Sequence, residues 1–482
     1  MAAAAVSSSD FRKGPKNKRR RKASQRGFPL GDKLRLKTAG EGIGMASKAF
    51  DVIVLGATGF TGRQAVLALT HRGATQPLRW AVAGRNLAKL RGMVAELVPT
   101  ASTQPGIVVA DVNDLDSLQK LAAQTSVLLN LAGPYAPSGE AVVQACIGQG
   151  THYLDLSGET FWVQQLIARH HRAAQAAKVR IIPCCGYEAL PFDLTALWAA
   201  TQVRDRFGEA CSEVKLVVSF TGKRITHIKD AVSGGTVASM RSLLEFDSSD
   251  CVRNPACLLP LDSPDAESVA KRNAYRYVPQ FDTDVKAVTA PTIPAPFVNP
   301  PIVLRTQALV ADTSLFSADF RYLESLNMSS LVPRVSFLPP SSTLPLQWAA
   351  AASLSVPLAG LSATVAGTLK FQRQGLRKLV EWFAPHSGEG PSEEALAGSG
   401  YSFDVFASSV AGKRLRGRVD AKGHPGYRST PEMLVTAALG LARGTLGRTP
   451  HVGIVTPASG LGLDAVPAMR EAGVTFSVLS WS

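Results

Sequence analysis

Three glycines spaced three residues apart lie in the segment Gly56-Ala-Thr-Gly-Phe-Thr-Gly62, directly after the apolar run at 51–55. Glycine lets backbone N–H groups come close to a pyrophosphate, and the helix expected at 63–71 adds partial positive charge at its first turn. The pattern predicts a dinucleotide-binding loop. A tight turn that binds nothing is the alternative, because the spacing is not G-x-G-x-x-G. The loop residues predicted to contact the cofactor are Gly56, Thr58, Gly59, Phe60, Thr61 and Gly62.

Arg85 follows the next apolar run, at 78–83, where a second strand is expected. In sites that prefer NAD, an acidic residue at the end of this strand binds the ribose 2′-hydroxyl. A guanidinium at that place suits the 2′-phosphate of NADP instead, because it donates several hydrogen bonds in one plane. The sequence therefore predicts NADP as the cofactor, with a solvated loop arginine as the alternative.

Two later strand ends supply the remaining candidate cofactor contacts. Asp111 ends the run at 107–111 and is predicted to meet the adenine edge of the dinucleotide. The run at 127–132 leads into a loop that is predicted to border the nicotinamide half of the site. The candidates at this second position are Asn130, Gly133 and Pro134.

Tyr135 and Tyr187 are the candidate proton donors, because both are expected in loops that face the nicotinamide. Gly139 and Pro191 stand four residues after them, so neither forms the Tyr-x-x-x-Lys pair of a short-chain dehydrogenase. A purely structural role is the alternative for each tyrosine. The sequence identifies no other catalytic residue and predicts no metal site.

Buried strands alternate with helical stretches of about 10–15 residues through this first part of the chain. That alternation predicts the α/β class, with a Rossmann-type doubly wound parallel sheet. The strands must present their carboxyl ends together, because ligands bind there in open α/β sheets.

Several motifs, taken in order, resemble those of the saccharopine dehydrogenase-like oxidoreductases, a group that includes the trans-acting enoyl reductases. The similarity spans roughly residues 50–480. At Ala189 and Phe192 the chain departs from the group's pattern and loses two hydroxyls, which puts polar contacts there in doubt. Beyond the glycine loop, the motifs are Trp80-Ala-Val-Ala-Gly-Arg-Asn86, Asn130-Leu-Ala-Gly-Pro-Tyr135, Gly139-Glu-Ala-Val-Val-Gln-Ala-Cys146, Gly150-Thr-His-Tyr-Leu-Asp-Leu-Ser-Gly-Glu159, Pro183-Cys-Cys-Gly-Tyr-Glu-Ala-Leu-Pro-Phe-Asp193, Ser233-Gly-Gly-Thr236, Gly423-His-Pro-Gly-Tyr427 and Thr456-Pro-Ala458.

The resemblance implies an NADP-dependent oxidoreductase with an inserted α+β second domain, and it leaves a homodimer open. The expected divisions are a disordered basic extension at 1–48, the Rossmann domain at 49–190, the inserted substrate and dimerisation domain at 191–428, and a return to the Rossmann domain at 429–482.

Positive charge is concentrated near the start of the chain. The formal net charge is +15, and residues 1–44 hold 12 Lys/Arg against 3 Asp/Glu. The excess therefore says little about the folded body and does not indicate specific nucleic-acid binding. The basic run at 12–22 has three readings: a mitochondrial or plastid transit peptide, a nuclear-type or lipid-binding basic patch, or an extension without function. A start at Met45 is also open. Six scattered cysteines are expected to be free thiols in an intracellular, reducing compartment.

The inserted domain contains an apolar segment at 335–369, because no charged residue lies between Arg334 and Lys370. A bilayer is spanned by about 20 apolar residues, so the segment is long enough. Pro357 is expected to divide it into an apolar hairpin or interfacial segment with a basic flank. Packing against the second domain or a second copy, contact with a membrane or lipid droplet, and a true span remain alternatives.

Three functions follow as hypotheses. The first is an NADP-dependent reductase of a hydrophobic or lipid-linked enoyl substrate, working at a membrane or lipid surface in glycolipid or lipid metabolism. The second is a non-catalytic lipid-droplet or membrane protein that keeps the nucleotide-binding fold. The third is a saccharopine reductase of lysine metabolism. That substrate's carboxylates require clustered cations, and residues 285–370 offer only Lys286, Arg305, Arg321, Arg334 and Lys370.

Overall fold

A parallel sheet organises the first part of the chain in the computed structural model, which describes residues 48–98, 104–222, 234–246, 248–260, 263–292, 296–332, 340–366 and 390–482. Its strands are short runs rich in Val, Ile, Leu and Ala, as strands covered on both faces require. They are β1 (Phe50–Leu55), β2 (Trp80–Gly84), β3 (Gly106–Val109), β4 (Thr125–Asn130), β5 (His152–Asp155), β6 (Arg180–Ile182) and β13 (Gly453–Ile454). Their order across the sheet is β13-β6-β5-β4-β1-β2-β3, and every pairing is parallel.

Helices connect these strands and cover the sheet. They are α1 (Phe60–Thr75), α2 (Leu87–Leu97), α3 (Leu115–Ala123), α4 (Tyr135–Gly148) and α5 (Thr160–Ala176). Side chains cap two of the starts, where Asn86 accepts from the Lys89 N–H and Asp114 accepts from the Ser117 N–H. The strand order reverses at β1 and β4, which gives the topological switch point of a doubly wound sheet. The predicted fold class is confirmed.

A second, mixed sheet follows in the chain. Its strands are β7 (Cys211–Gly222), β8 (Gln280–Asp282), β9 (Ala287–Ala290), β10 (Phe316–Asn327), β11 (Ser399–Ser409), β12 (Arg414–Lys422) and β14 (Val474–Trp481), in the order β14-β12-β11-β7-β10-β9-β8. β7 and β10 are parallel, and the other neighbours are antiparallel. The last strand corrects one expectation for 429–482. β13 joins the first sheet, but β14 pairs with β12 because its buried and exposed residues alternate as an edge strand needs.

The helix α6 (Leu190–Phe207) is mostly buried. Of its 18 residues, 13 are buried, and these include Asp193, Thr195 and Thr201. It packs on β7, β11 and β12 of the second sheet, and its start follows directly from the loop after β6. The remaining helices are α7 (Gly234–Glu245), α8 (Ala266–Arg272), α9 (Asn299–Val310), α10 (Leu344–Ala366), α11 (Glu393–Gly398), α12 (Thr430–Ala442), α13 (Pro457–Leu461) and α14 (Ala465–Ala468).

The apolar segment forms the single helix α10, so the expected division at Pro357 is wrong. Pro357 lacks an N–H, and the carbonyl that it leaves without a helical partner belongs to Ser353. Both residues are exposed, so the break in bonding is not enclosed in the core. Leu344–Val365 is long and apolar enough to cross a membrane, with a mean hydropathy of 1.4 over 22 residues. The basic extension at 1–47 and the basic flank after 370 lie outside the described residues.

Candidate functional site

The glycine loop lies at the carboxyl end of β1, against the loop after β4. Gly56 has φ +81°, and a Cβ there would lie 2.7 Å from the Ala132 nitrogen. A Cβ at Gly62 would collide with the Gly56 carbonyl oxygen. Both positions therefore need glycine, because the chain passes itself too closely for a side chain. Gly59 is the N-cap of α1, no side chain caps that helix, and its first turn contains no acid. The N–H groups at this end can take an anion.

The threonines and Phe60 complete this loop. Thr58 is exposed, and Thr61 and Phe60 are partly exposed. The Phe60 ring meets the Tyr427 ring edge-on at 5.5 Å between centroids. Tyr427 belongs to the Gly423–Tyr427 motif, which thus packs against the start of α1.

Arg85 lies directly after β2 and is exposed. It makes no ion pair with any residue that the structure describes, whereas Arg63 on α1 pairs with Glu96. Lys89 in the first turn of α2 is exposed as well. The end of β2 thus presents unpaired positive charge and no carboxylate, which suits a phosphate better than a ribose hydroxyl.

Asp111 follows β3 and is partly exposed. One carboxylate oxygen accepts hydrogen bonds from the Asn113 N–H at 3.0 Å and the Asn113 side chain at 3.2 Å. This local turn fixes the side chain at the rim of the site, on the same edge of the sheet as Arg85.

Asn130, Tyr153 and Asp155 form a buried network at the ends of β4 and β5. Asn130 donates to the Tyr153 hydroxyl at 3.1 Å, and that hydroxyl donates to Asp155 at 2.7 Å. The Asn130 side-chain oxygen accepts from the Ala132 N–H at 3.1 Å. Both ends of the Asn130 amide are thus used inside the protein, so any cofactor contact here comes from the backbone. Burial raises the pKa of Asp155 to about 7.

Tyr135 starts α4, directly after the Gly133–Pro134 loop. Its hydroxyl donates to the Asn130 carbonyl at 3.2 Å and accepts from the Leu156 N–H at 3.3 Å. Its ring stacks on Trp162 at 5.8 Å. Burial raises the pKa of this hydroxyl well above its ordinary value. Tyr135 therefore joins the ends of β4 and β5, and its role as a proton donor stays a prediction.

Glu159 caps the start of α4 from a fully buried position. Its two oxygens accept from the Tyr135 N–H at 3.0 Å and the Ala136 N–H at 2.8 Å, and Ser239 of α7 donates to it at 3.1 Å. Burial raises its pKa despite these donors. The carboxylate holds the loop that contains Gly133 and Pro134 and ties it to α7.

Tyr187 lies in the loop after β6, between the two sheets. Its N–H donates to the Thr430 hydroxyl at 2.8 Å, and its ring lies edge-on to Tyr401 at 4.8 Å and to Phe192 at 5.6 Å. Phe403 extends this aromatic cluster from the second sheet, 4.5 Å from Phe192. Burial raises the pKa of the Tyr187 hydroxyl, which has no hydrogen-bond partner among the described residues.

Two acids near this loop, the buried Asp193 and the partly buried Glu324, were missed by the sequence analysis. Asp193 of α6 accepts from the Thr306 hydroxyl at 2.5 Å and the Ala458 N–H at 2.8 Å. Glu324 of β10 accepts from Thr292, Asn299 and Tyr322. A signal for Glu324 was present. Phe320, Tyr322 and Leu326 are buried, and Glu324 shares their face because strand side chains alternate.

Comparisons with known proteins agree with this geometry. Residues 52–182 match the family described as saccharopine dehydrogenase NADP binding domain. The trans-acting enoyl reductase of Mycobacterium bovis is 30% identical over 444 residues, covering 89% of this chain and 97% of that protein. The Mycobacterium leprae protein of the same description gives the same identity and coverage.

The chain belongs to the trans-acting enoyl reductase family of saccharopine dehydrogenase-like oxidoreductases. Among solved structures, it is similar to the apo saccharopine dehydrogenase (L-Glu forming) of Saccharomyces cerevisiae. That match has a TM-score of 0.44 and 14% identity, and it covers 89% of this chain and 100% of that one. As a member of this family, the chain is an NAD(P)-dependent oxidoreductase with an NADP-binding domain.

Proposed function

We propose that this protein is an NADPH-dependent reductase of an apolar enoyl substrate and that it works at a lipid surface. The observation that carries the proposal is the apolar cluster of rings beside the loop after β6, formed by Tyr187, Phe192, Tyr401 and Phe403. The relatives named as enoyl reductases support the same reaction class.

The cofactor site fits NADPH through the chain's own groups. The glycine loop and the start of α1 would hold the pyrophosphate, Arg85 the 2′-phosphate, and Asp111 the adenine side. The backbone at Gly133 and Pro134 would border the nicotinamide. When bound, NADPH supplies a hydride.

A cluster of rings adjoins the loop after β6. Tyr187, Phe192, Tyr401 and Phe403 pack on one another there and are at most 7% exposed. A substrate that reaches this loop would meet apolar neighbours, which favour an aliphatic chain over a charged one.

Two of the cations that could bind the carboxylates of saccharopine already have partners inside the protein. Arg305 is buried and donates to the carbonyls of Leu258 and Ile454, both at 2.7 Å. Arg321 pairs with Glu213 at 3.4 Å, and Lys286 is exposed in the turn before β9. Arg305 and Arg321 are therefore already engaged within the protein, and the carboxylates of saccharopine would have to displace their partners.

Helix α10 supports the proposed contact with lipid, because it buries polar side chains and exposes apolar ones. Gln347, Ser355 and Ser362 are buried, whereas Trp348 is 43% exposed and Val356 is 71% exposed. Two of these inward polar groups bond to the protein: Gln347 accepts from the Val288 N–H at 3.0 Å, and Tyr277 donates to Ser362 at 2.9 Å. An apolar outer face next to an uncharged segment suits the interface of a membrane or lipid droplet.

Turnover tests the reaction directly. Purified full-length protein with NADPH and a long-chain enoyl thioester should show loss of NADPH absorbance and formation of the saturated product by mass spectrometry. Binding of NADPH without turnover on enoyl substrates of different chain lengths would instead support the non-catalytic alternative. NADP-dependent turnover of saccharopine would overturn the proposal.

Cofactor choice tests the role of Arg85. Replacing Arg85 by Ala should weaken NADPH binding about tenfold to a hundredfold, as losing a charge-assisted phosphate contact of about 1.5–3 kcal/mol requires. Binding of NADH should be unchanged. Lys120→Ala is the matched control. Lys120 is an exposed cation in the last turn of α3, near the amino ends of the strands, whereas Arg85 follows the carboxyl end of β2. Equal effects of Arg85→Ala on both cofactors would contradict the role proposed for Arg85.

Flotation with phosphatidylcholine vesicles tests the lipid contact. The double change Leu346→Glu and Val356→Glu should abolish co-flotation, because each residue gives about 1.5–3 kcal/mol when buried in an apolar phase. Val410→Glu is the control, since Val410 is 58% exposed on the second sheet's β11–β12 turn. Flotation of the double variant at the wild-type level would remove the lipid contact from the proposal.

A further inference from the structure

Glu159 holds the first turn of α4 from outside that helix. Its two oxygens accept from the Tyr135 N–H at 3.0 Å and the Ala136 N–H at 2.8 Å. No side chain of α4, which the structure describes in full, caps this start, because Pro134 is its N-cap and its first turn contains no acid. One buried carboxylate, 23 residues beyond Ala136, therefore satisfies two N–H groups that a helix start leaves without helical partners.

The carboxylate has a fixed place at the carboxyl edge of the first sheet. Glu159 is the N-cap of α5, and its N–H donates to the Ser157 hydroxyl at 3.0 Å. The Ser157 N–H in turn donates to Asp155, the last residue of β5, at 2.8 Å. A short series of hydrogen bonds thus connects the first turn of α4 to the end of the strand beside β4.

The loop at 133–134 lies between two fixed points of the chain. Before the loop, the Leu131 N–H donates to the Leu55 carbonyl at the end of β1, at 2.8 Å. After the loop, Glu159 holds the next two N–H groups. The position of these two loop residues therefore depends on the end of β1 on one side and on the Glu159 carboxylate on the other.

A third helix meets the same carboxylate. The Ser239 hydroxyl of α7 donates to it at 3.1 Å, and Phe246, directly after α7, stacks on Phe161 of α5 at 5.9 Å between ring centroids. Glu159 is thus the point where α4, α5 and α7 meet. Because Ser239 is a separate donor, its contact can be removed while both contacts to α4 remain.

We propose that Glu159 is a positioning residue for hydride transfer, an inference that rests on the proposed function and on the placement of the nicotinamide beside the loop at 133–134. In this role the carboxylate contacts neither substrate nor cofactor and acts through the loop. It fixes the backbone against which the nicotinamide would lie, and so the distance between hydride donor and acceptor. A misplacement of about 1 Å can slow such a step about 10²-fold. The glycine loop and Arg85 would keep their share of cofactor binding.

Hydrogen exchange tests the hold on α4 without cofactor or substrate. In the ligand-free protein, mass spectrometry should find faster amide exchange in Glu159→Ala for the peptide that contains Tyr135 and Ala136, with unchanged exchange in α3. Glu159→Gln keeps one acceptor oxygen, so it should give an intermediate rate, and it serves as the second variant if Glu159→Ala does not fold. Exchange of this peptide at the wild-type rate in both variants would overturn the inference.

Steady-state kinetics with NADPH deuterated at C4 supply the second readout. Glu159→Ala should lower kcat about 10–100-fold, with the Kd for NADPH near that of wild type. Its deuterium isotope effect on kcat should be at least as large as in wild type, because hydride transfer becomes the slow step. Glu159→Gln should recover part of the rate. A smaller isotope effect in Glu159→Ala would place the loss in another step and refute the positioning role.

Two matched variants separate positioning from a loss of stability. Ser239→Ala removes the bond from α7 and leaves both contacts to α4. Asp193→Ala removes another buried carboxylate, which accepts from the Thr306 hydroxyl and from the Ala458 N–H in the first turn of α13. Both variants should unfold more easily and keep kcat. A loss of kcat in either that equals the loss in Glu159→Ala would contradict the inference.

The two proposals fail in different ways. If wild type reduces enoyl substrates and Glu159→Ala keeps the wild-type kcat, only this inference fails. If wild type reduces none, the proposed function fails and the inference with it.

Discussion

At Gly62, adding a single methyl group should distort the glycine loop. A Cβ there would lie 2.8 Å from the Cα and carbonyl carbon of Ala57, against the 3.4 Å at which ordinary contacts begin. The backbone must therefore move by about 0.6 Å, and more at the Gly56 carbonyl oxygen, with which the methyl collides. All three neighbours are backbone atoms, fixed by β1 on one side and α1 on the other, so no side chain can turn aside.

Gly62→Ala should accordingly destabilise the protein by about 1–3 kcal/mol, the usual cost of overpacking a close contact. The displaced loop should also weaken NADPH binding at least tenfold, since about 1.4 kcal/mol of lost contact has that effect. Urea unfolding followed by circular dichroism and NADPH titration by fluorescence measure the two effects.

Gly92→Ala is the matched control. Gly92 lies inside α2, and a Cβ there meets nothing within 4 Å. This change should be neutral or stabilise by about 0.5–1 kcal/mol, because alanine loses less backbone entropy in a helix. The reasoning is refuted if Gly62→Ala and Gly92→Ala have the same unfolding midpoint and the same NADPH affinity.

Three further changes test other parts of the site. Tyr135→Phe should cost about 1–3 kcal/mol, because the partly buried Leu156 N–H loses its acceptor, while kcat should stay near wild type; a large loss of kcat would instead support Tyr135 as a proton donor. Asp193→Asn should flatten the pH dependence of stability. Burial raises the pKa of Asp193 from 3.8 to about 7 in the folded protein, so the folded wild type is more stable at low pH. Its free energy of unfolding should fall by roughly 2–3 kcal/mol between pH 5 and 8, as urea unfolding would measure. All six cysteines are buried and free, so iodoacetamide should label none of them in the native protein and all six in urea, as mass spectrometry would count; rapid native labelling of Cys184 or Cys185 would contradict the burial.

The nucleotide half of the site could be predicted because its signals are local. An apolar run, a glycine turn and a helix start are contiguous in sequence, and Arg85 needs only to follow the next strand. The predicted division at Pro357 was wrong because a local rule about proline ignores the surroundings of the carbonyl that loses its partner. That carbonyl belongs to Ser353, which is exposed.

The surroundings of the loop after β6 could not be predicted because they come from distant segments. Glu324 reaches the loop after β6 only through Asn299, and that contact exists only once α9 packs against α6. Composition alone makes Glu159 and Asp193 look like ordinary charged residues. Their burial follows from α7 and α13, which approach them from far along the chain.

The pairing of β13 with β6 has a consequence for how the protein is made. Ile454 pairs with Ile181, and about 270 residues separate the two strands. At a synthesis rate of roughly 5–20 residues per second, β6 waits about 15–50 s on the ribosome before its neighbour emerges. During that interval the nascent chain presents an apolar strand edge beside β6, and this edge is where we expect a chaperone to bind until translation delivers residue 454.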